Sequence, residues 1–176
     1  MQKISFTNSR RLKLVGHYYE VGSDTTVVMV HGLRGDKSFH GKFDALARQY
    51  NAEGYNAFAF DFCGSGESDV DSVCVEKQLD DLRAAVDFLD ERPDVASIWI
   101  AGSSLGGALA IYVAAEEIRV RGVATLAAPA SLRDWAANPA RLLTDCREIG
   151  VIKTAGFPAD ESAWARELLQ VDPVSA

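Results

Sequence analysis

The sequence predicts an α/β fold, a mostly parallel sheet with helices on both faces, on three observations. Strand-like and helix-like segments alternate from Thr26 to Ala127, the pattern that builds a parallel sheet through crossover helices. The runs Val27-Val28-Met29-Val30 and Phe58-Ala59-Phe60 are apolar without alternation, as central strands covered on both sides require. The pentapeptide Gly102-Ser103-Ser104-Leu105-Gly106 stands between an apolar run and a helix-like stretch, so the chain there must turn sharply from strand to helix.

Taken in order, Lys3 to Thr7 and Lys13 to Glu20 read as two initial strands joined by a short link. Thr26 to His31 is the third strand. Phe43, Leu46, Ala47 and Tyr50 recur at helical spacing and stop at Gly54, a residue suited to a helix C-terminus. Asn56 to Phe62 is the fourth strand, and Leu79, Leu82, Ala85, Val86 and Leu89 repeat the helical spacing before Pro93. Ser97 to Gly102 is the fifth strand, Ala108 to Glu117 a helix, and Gly122 to Ala127 the sixth strand. From Arg133 the pattern loosens into a short amphipathic stretch, Ala140 to Ile149, and a helix-like Glu161 to Gln170. No further clear strand follows Leu126.

With 176 residues and 48% hydrophobic content, the chain can bury a core as a single domain over 1–176. The balance of 18 Lys+Arg against 25 Asp+Glu leaves a net charge of −7, which argues against nucleic acid or an anionic membrane as a partner. Neither a leader-type apolar segment nor an apolar run near the ~18 residues of a membrane span is visible, so a cytoplasmic location is expected. Cys63, Cys74 and Cys146 are odd in number and lack CxxC spacing, so reduced thiols are expected, with neither a disulfide framework nor a metal site. The GxGxxG and GxxxxGK[ST] patterns are absent, and no cofactor is expected.

The pentapeptide carries the chemistry. A GxSxG between strand and helix presents its central Ser hydroxyl on a strained turn, and the flanking glycines remove Cβ atoms where strand end and first helical turn press together. Ser104 is thus the candidate nucleophile. At the foot of the helix, free amides and the helix dipole favour the negative charge of an acyl-transfer transition state, which makes the Leu105 N–H one oxyanion donor.

Two motifs stand upstream, each at a strand end: His31-Gly32-Leu33-Arg34-Gly35 with Asp36-Lys37, and Asp61-Phe62-Cys63-Gly64-Ser65-Gly66-Glu67-Ser68. With the pentapeptide and Gly107, they resemble the HGxxGxK, DFxGxGxS and GxSxGG series of the α/β-hydrolase superfamily, most closely its feruloyl/cinnamoyl-esterase and serine-aminopeptidase-like branch. The resemblance runs from about Ile4 to Ala130. Cys63 stands where that branch often has Arg or Asn, and Ser103 where it often has His. The resemblance implies that the Leu33 amide is the second oxyanion donor and that His31 shapes its loop without acting as a base. Asp61 and Ser68 read as loop-shaping groups. His17 and His40 read as surface or packing residues.

The resemblance also implies a nucleophile, acid, histidine order along the chain, yet all three histidines, His17, His31 and His40, precede Ser104. The expectation is that the last two strands of the fold, the acid and the base lie outside these 176 residues. Asp134 follows the last strand, a place some branches use for the acid, but Asp also favours a helix's first turn; Asp172, before Pro173, suits an extended turn. Two readings of function stand side by side. One is a serine hydrolase cleaving a small-molecule carboxylic ester, thioester or amide through an acyl-enzyme on Ser104, with these 176 residues nearly inert alone. The other is a catalytically inactive binding or interaction domain of the same fold. His31 or His40 as an unusual base is a narrower variant of the first. Trp135 and Phe157 could line an apolar pocket. The apolar strand Gly122 to Ala127 would form an exposed sheet edge open to self-association.

Overall fold

The computed structural model describes residues 1–33, 35–148, 150, 152, 158–170 and 173–174. Six strands form one sheet: β1 Gln2–Thr7, β2 Lys13–Tyr19, β3 Thr25–Val30, β4 Asn56–Asp61, β5 Ser97–Ser103 and β6 Val120–Leu126. Their spatial order is β1-β2-β4-β3-β5-β6. β1 pairs antiparallel with β2 and β2 antiparallel with β4, while β4, β3, β5 and β6 run parallel. Six helices complete the described residues: α1 Lys42–Ala52, α2 Val75–Asp90, α3 Leu105–Glu116, α4 Arg133–Ala137, α5 Pro139–Glu148 and α6 Glu161–Gln170. The expected mostly parallel sheet with helices on both faces is what the chain adopts.

The uninterrupted apolar runs explain the layering. Side chains of a strand alternate between faces, so β3 sends Val28 and Val30 one way and Met29 the other. Val28, Val30, Phe58, Phe60, Ile98 and Ile100 pack under α2 and α3 in the larger core. Met29, Ala57 and Ala59 pack with Phe43 and Ala47 of α1 in the smaller one. Small residues on that second face of β4 let α1 approach closely.

The chain leaves β3 through α1 to reach β4 on one side, then returns through α2 to β5 on the other. Open α/β sheets bind ligands where the winding direction reverses, beyond the carboxyl ends of the strands. The His31, Phe62 and Ser103 turns all lie at that edge. Among the described residues, no helix is long and apolar enough to cross a membrane.

Candidate active site

β5 ends at Ser103 and α3 begins at Leu105, which leaves Ser104 alone to make the turn. Its backbone has φ 53 and ψ −127, a region that non-glycine residues rarely occupy and that surrounding structure must enforce. Ser104 N–H donates to Leu126 O at 2.9 Å, and Ser104 O accepts from Gly107 and Ala108. The glycines fit because nothing larger could. A Cβ on Gly102 would lie 2.5 Å from Gly106 O, and one on Gly106 would lie 2.4 Å from His31 O and 2.6 Å from Val30 O. The pentapeptide's spacing is therefore a packing requirement between β3, β5 and α3.

The turn after β3 lies against Ser104. A Cβ on Gly32 would sit 3.0 Å from Ser104 Cβ and 3.6 Å from its Oγ, so the Gly32 backbone borders the hydroxyl, and Leu33 follows it. Gly35 N–H closes a turn onto Gly32 O at 3.0 Å. Among the described residues, neither the Leu33 nor the Leu105 N–H donates to a protein acceptor; for Leu105 this is the ordinary state of the first turn of a helix.

His31 is buried with both ring nitrogens engaged. Nδ1 donates to Gly32 O at 2.8 Å, and Nε2 accepts from Phe62 N–H at 3.3 Å. That pattern requires the neutral ring with its proton on Nδ1, and burial pushes its pKa down despite the Gly32 carbonyl and Asp61. No lone pair is left to accept a proton from Ser104. His17 lies half-buried on β2, its pKa lowered by burial and by Lys37.

A cleft of about 850 Å³ opens over Ser103 and Ser104, within the size range of small-ligand sites. Leu33, Phe39, Trp135 and Leu142 supply its apolar lining, and His40 and Asp145 are among its polar groups. His40 is an exposed residue, as its sequence context suggests, and it stands at this cleft. Phe39, His40 and Gly41 all have positive φ, at 47°, 57° and 79°. This left-handed segment is held by the Asp36 carboxylate, which accepts from Ser38 and Phe39 N–H at 2.8 and 2.7 Å, and by Ser38 Oγ on Gly41 N–H. Nothing in the sequence signals a conformation imposed by that side-chain lattice. Trp135 lines the cleft and also packs against the larger core, whereas Phe157 and Asp172 lie outside the described residues. Asp134 sits exposed in the first turn of α4 and is not among the cleft's lining residues.

The six-stranded sheet, the strand-to-helix turn at Ser104 and the two loops beside it define a protein of the α/β-hydrolase fold. The family model for serine aminopeptidase, S33, matches residues 22–149, well over half of the chain, and the chain belongs to that family. Among solved structures, the Pyrococcus furiosus esterase Pf2001 is 29% identical with a TM-score of 0.72, over 82% of this chain and 58% of that one. The chain therefore spans a little under three fifths of that esterase. Est1E from Butyrivibrio proteoclasticus, solved with ferulic acid bound, is 22% identical with a TM-score of 0.69, over 77% of this chain and 56% of that one. The bottromycin epimerase BotH, solved with bottromycin A2, is 20% identical with a TM-score of 0.62, over 99% of this chain and 72% of that one. Those last two show a shared fold alone, and a fold that serves an epimerase does not by itself name a reaction. No curated protein matches the sequence.

Proposed function

We propose that this chain carries the nucleophile and the oxyanion-binding amides of a serine hydrolase acting on a small-molecule carboxylic ester, or the related thioester or amide. One constellation supports the reading: Ser104 held at positive φ at the foot of α3 and lining a cleft, followed in sequence by the free amide of Leu105 and bordered by the Gly32 turn that carries the free amide of Leu33. In the reaction, Ser104 Oγ attacks the acyl carbonyl carbon while its proton passes to a base. The carbonyl oxygen, now negative, takes hydrogen bonds from the two amides, a contribution that commonly reaches about 3–4 kcal/mol per donor. Collapse breaks the bond to the leaving group, which departs as the alcohol, thiol or amine with that proton. Water then releases the acid from Ser104.

The base comes from outside these 176 residues in this scheme: His31 has no free nitrogen, no histidine follows Ser104, and His40, which shares the cleft, has no hydrogen bond to Ser104 among the described residues. Loss of the base alone costs on the order of 10⁶ in turnover in a serine protease, so the chain by itself is nearly inert. That same occupied His31 favours the second reading, a binding domain of this fold without catalysis. A fluorophosphonate probe on the native protein separates the two. Labelling mapped to Ser104, and its disappearance in Ser104→Ala together with p-nitrophenyl acetate hydrolysis, supports the hydrolase. Absence of labelling in native protein overturns it.

A further inference from the structure

At the carboxyl end of β4, the Asp61 side chain is fully buried and serves two loops at once. Its Oδ1 accepts from Lys37 N–H at 2.6 Å, and its Oδ2 accepts from Lys37 Nζ at 2.7 Å and from Glu67 N–H at 2.9 Å. Lys37 is itself only 6% exposed. Burial alone would lower its pKa, but the hydrogen bonds it donates to Asp61 and Glu67 outweigh that and hold it raised. Glu67 reaches Lys37 Nζ at 2.7 Å and Lys3 at 2.5 Å. The packing leaves no slack: a Cβ on Gly66, which has φ +48, would lie 2.1 Å from Asp61 Oδ2.

The next residue of the chain makes a second attachment, because Phe62 N–H holds His31 Nε2. The turn from Gly32 to Gly35 is therefore fastened at both ends, by the His31 ring before it and by Lys37 after it. Both fastenings go to consecutive residues, Asp61 at the end of β4 and Phe62 just beyond it. A buried ion pair is weak evidence for net stability, since desolvation offsets much of its attraction, and a satisfied buried polar network rigidifies its surroundings. We infer that Lys37 and Asp61 are positioning residues that hold the Gly32–Gly35 turn against β4 and thereby set where the Leu33 amide stands relative to Ser104. This rests on the proposed hydrolase reading. Lys37 and Asp61 act through the turn, without contact with the reacting atoms.

The test compares the two ends of β4 in the native protein. Asn56, buried at the opposite end, accepts from Val21 N–H at 2.9 Å and donates to Ser23 O at 2.6 Å, so Asn56→Ala should destabilise without reaching the site. Asp61→Asn and the charge-free pair Lys37→Met/Asp61→Asn should slow phosphonylation of Ser104 about ten- to hundred-fold. They should lower kcat to a similar degree with KM within about two-fold, as misplacement of an oxyanion donor predicts. Amide hydrogen exchange across residues 31–38 should quicken in these variants and stay unchanged in Asn56→Ala. Equal labelling rates in folded Asp61→Asn, the double variant and Asn56→Ala would overturn the positioning role. If the unsubstituted protein does not label, the hydrolase reading fails, and unchanged exchange across residues 31–38 would then overturn the clamp independently.

Discussion

Burial converts His31 from an ionisable group into a fixed neutral hydrogen-bonding unit. Its folded pKa lies below the ordinary value because the interior disfavours the charged ring, so the unfolded chain binds a proton that the folded one refuses. Stability is then present in full above about pH 6.5, the unfolded value, and is lost as pH falls toward the folded value. His17 contributes in the same direction through burial and Lys37. Urea midpoints recorded from pH 7.5 to 5 should fall, and His31→Asn should flatten part of that slope. At Gly106 the constraint is steric: a methyl group there would press on two backbone oxygens of β3, and backbone does not yield cheaply. Gly106→Ala should cost about 2–3 kcal/mol in denaturant unfolding and abolish Ser104 labelling.

The β1–β2 hairpin is locked to α2 by a polar cluster that hydrophobic periodicity does not announce. Asp81 is buried and accepts from Asn8 Nδ2 at 2.7 Å, Arg10 at 2.8 Å and Cys63 N–H at 2.8 Å. Burial still raises its pKa against those bonds. Arg10 also meets Asp71 at 3.2 Å and pairs with Asp80. Removing its charge strands a buried carboxylate, so Arg10→Ala should cost about 3 kcal/mol, against under about 1 kcal/mol for Arg83→Ala, whose pair with Glu116 is exposed. Thermal denaturation of the two variants measures the contrast. Element ends follow similar tertiary ties. α2 starts at Val75, four residues before the first repeat position Leu79, where Val75 is buried and the Cys74 thiol donates to Glu167 of α6 at 2.8 Å. Burial, then Glu167, pushes that thiol up to about 11. Trp164 Nε1 on Val73 O at 3.0 Å fixes the same junction.

Across the whole sheet, coverage is uneven. α1 shields β4 and β3 on its side, yet on that side Trp99 of β5 is 45% exposed and Leu126 of β6 is 72% exposed. Tyr55, Trp99, Ala101 and Ala124 line an open apolar hollow there. β6 has a partner on one side only among the described residues. An unpaired strand beside bare apolar surface is a template for another strand, while the net charge of −7 opposes close approach. We expect the 176-residue chain to self-associate in light scattering. Association should strengthen with added salt, which screens the repulsion, and Leu126→Lys should shift the chain toward monomer. A monodisperse monomer at tens of micromolar would contradict this expectation.

The strands, the principal helices and the strand-to-helix turn at Ser104 were legible in the linear chain because each depends on local spacing: apolar runs for buried strands, a 3.6-residue repeat for helices, glycines two residues either side of a turn. The sequence motifs also single out Leu33 and Leu105, whose role as oxyanion donors belongs to the proposed hydrolase reading. The Asp61–Lys37 clamp, the left-handed segment that brings His40 to the cleft, and the doubly engaged His31 were not. Each joins groups far apart in sequence whose charge, tautomer or backbone angle is set by burial and by partners from other strands, and no periodicity encodes such a meeting.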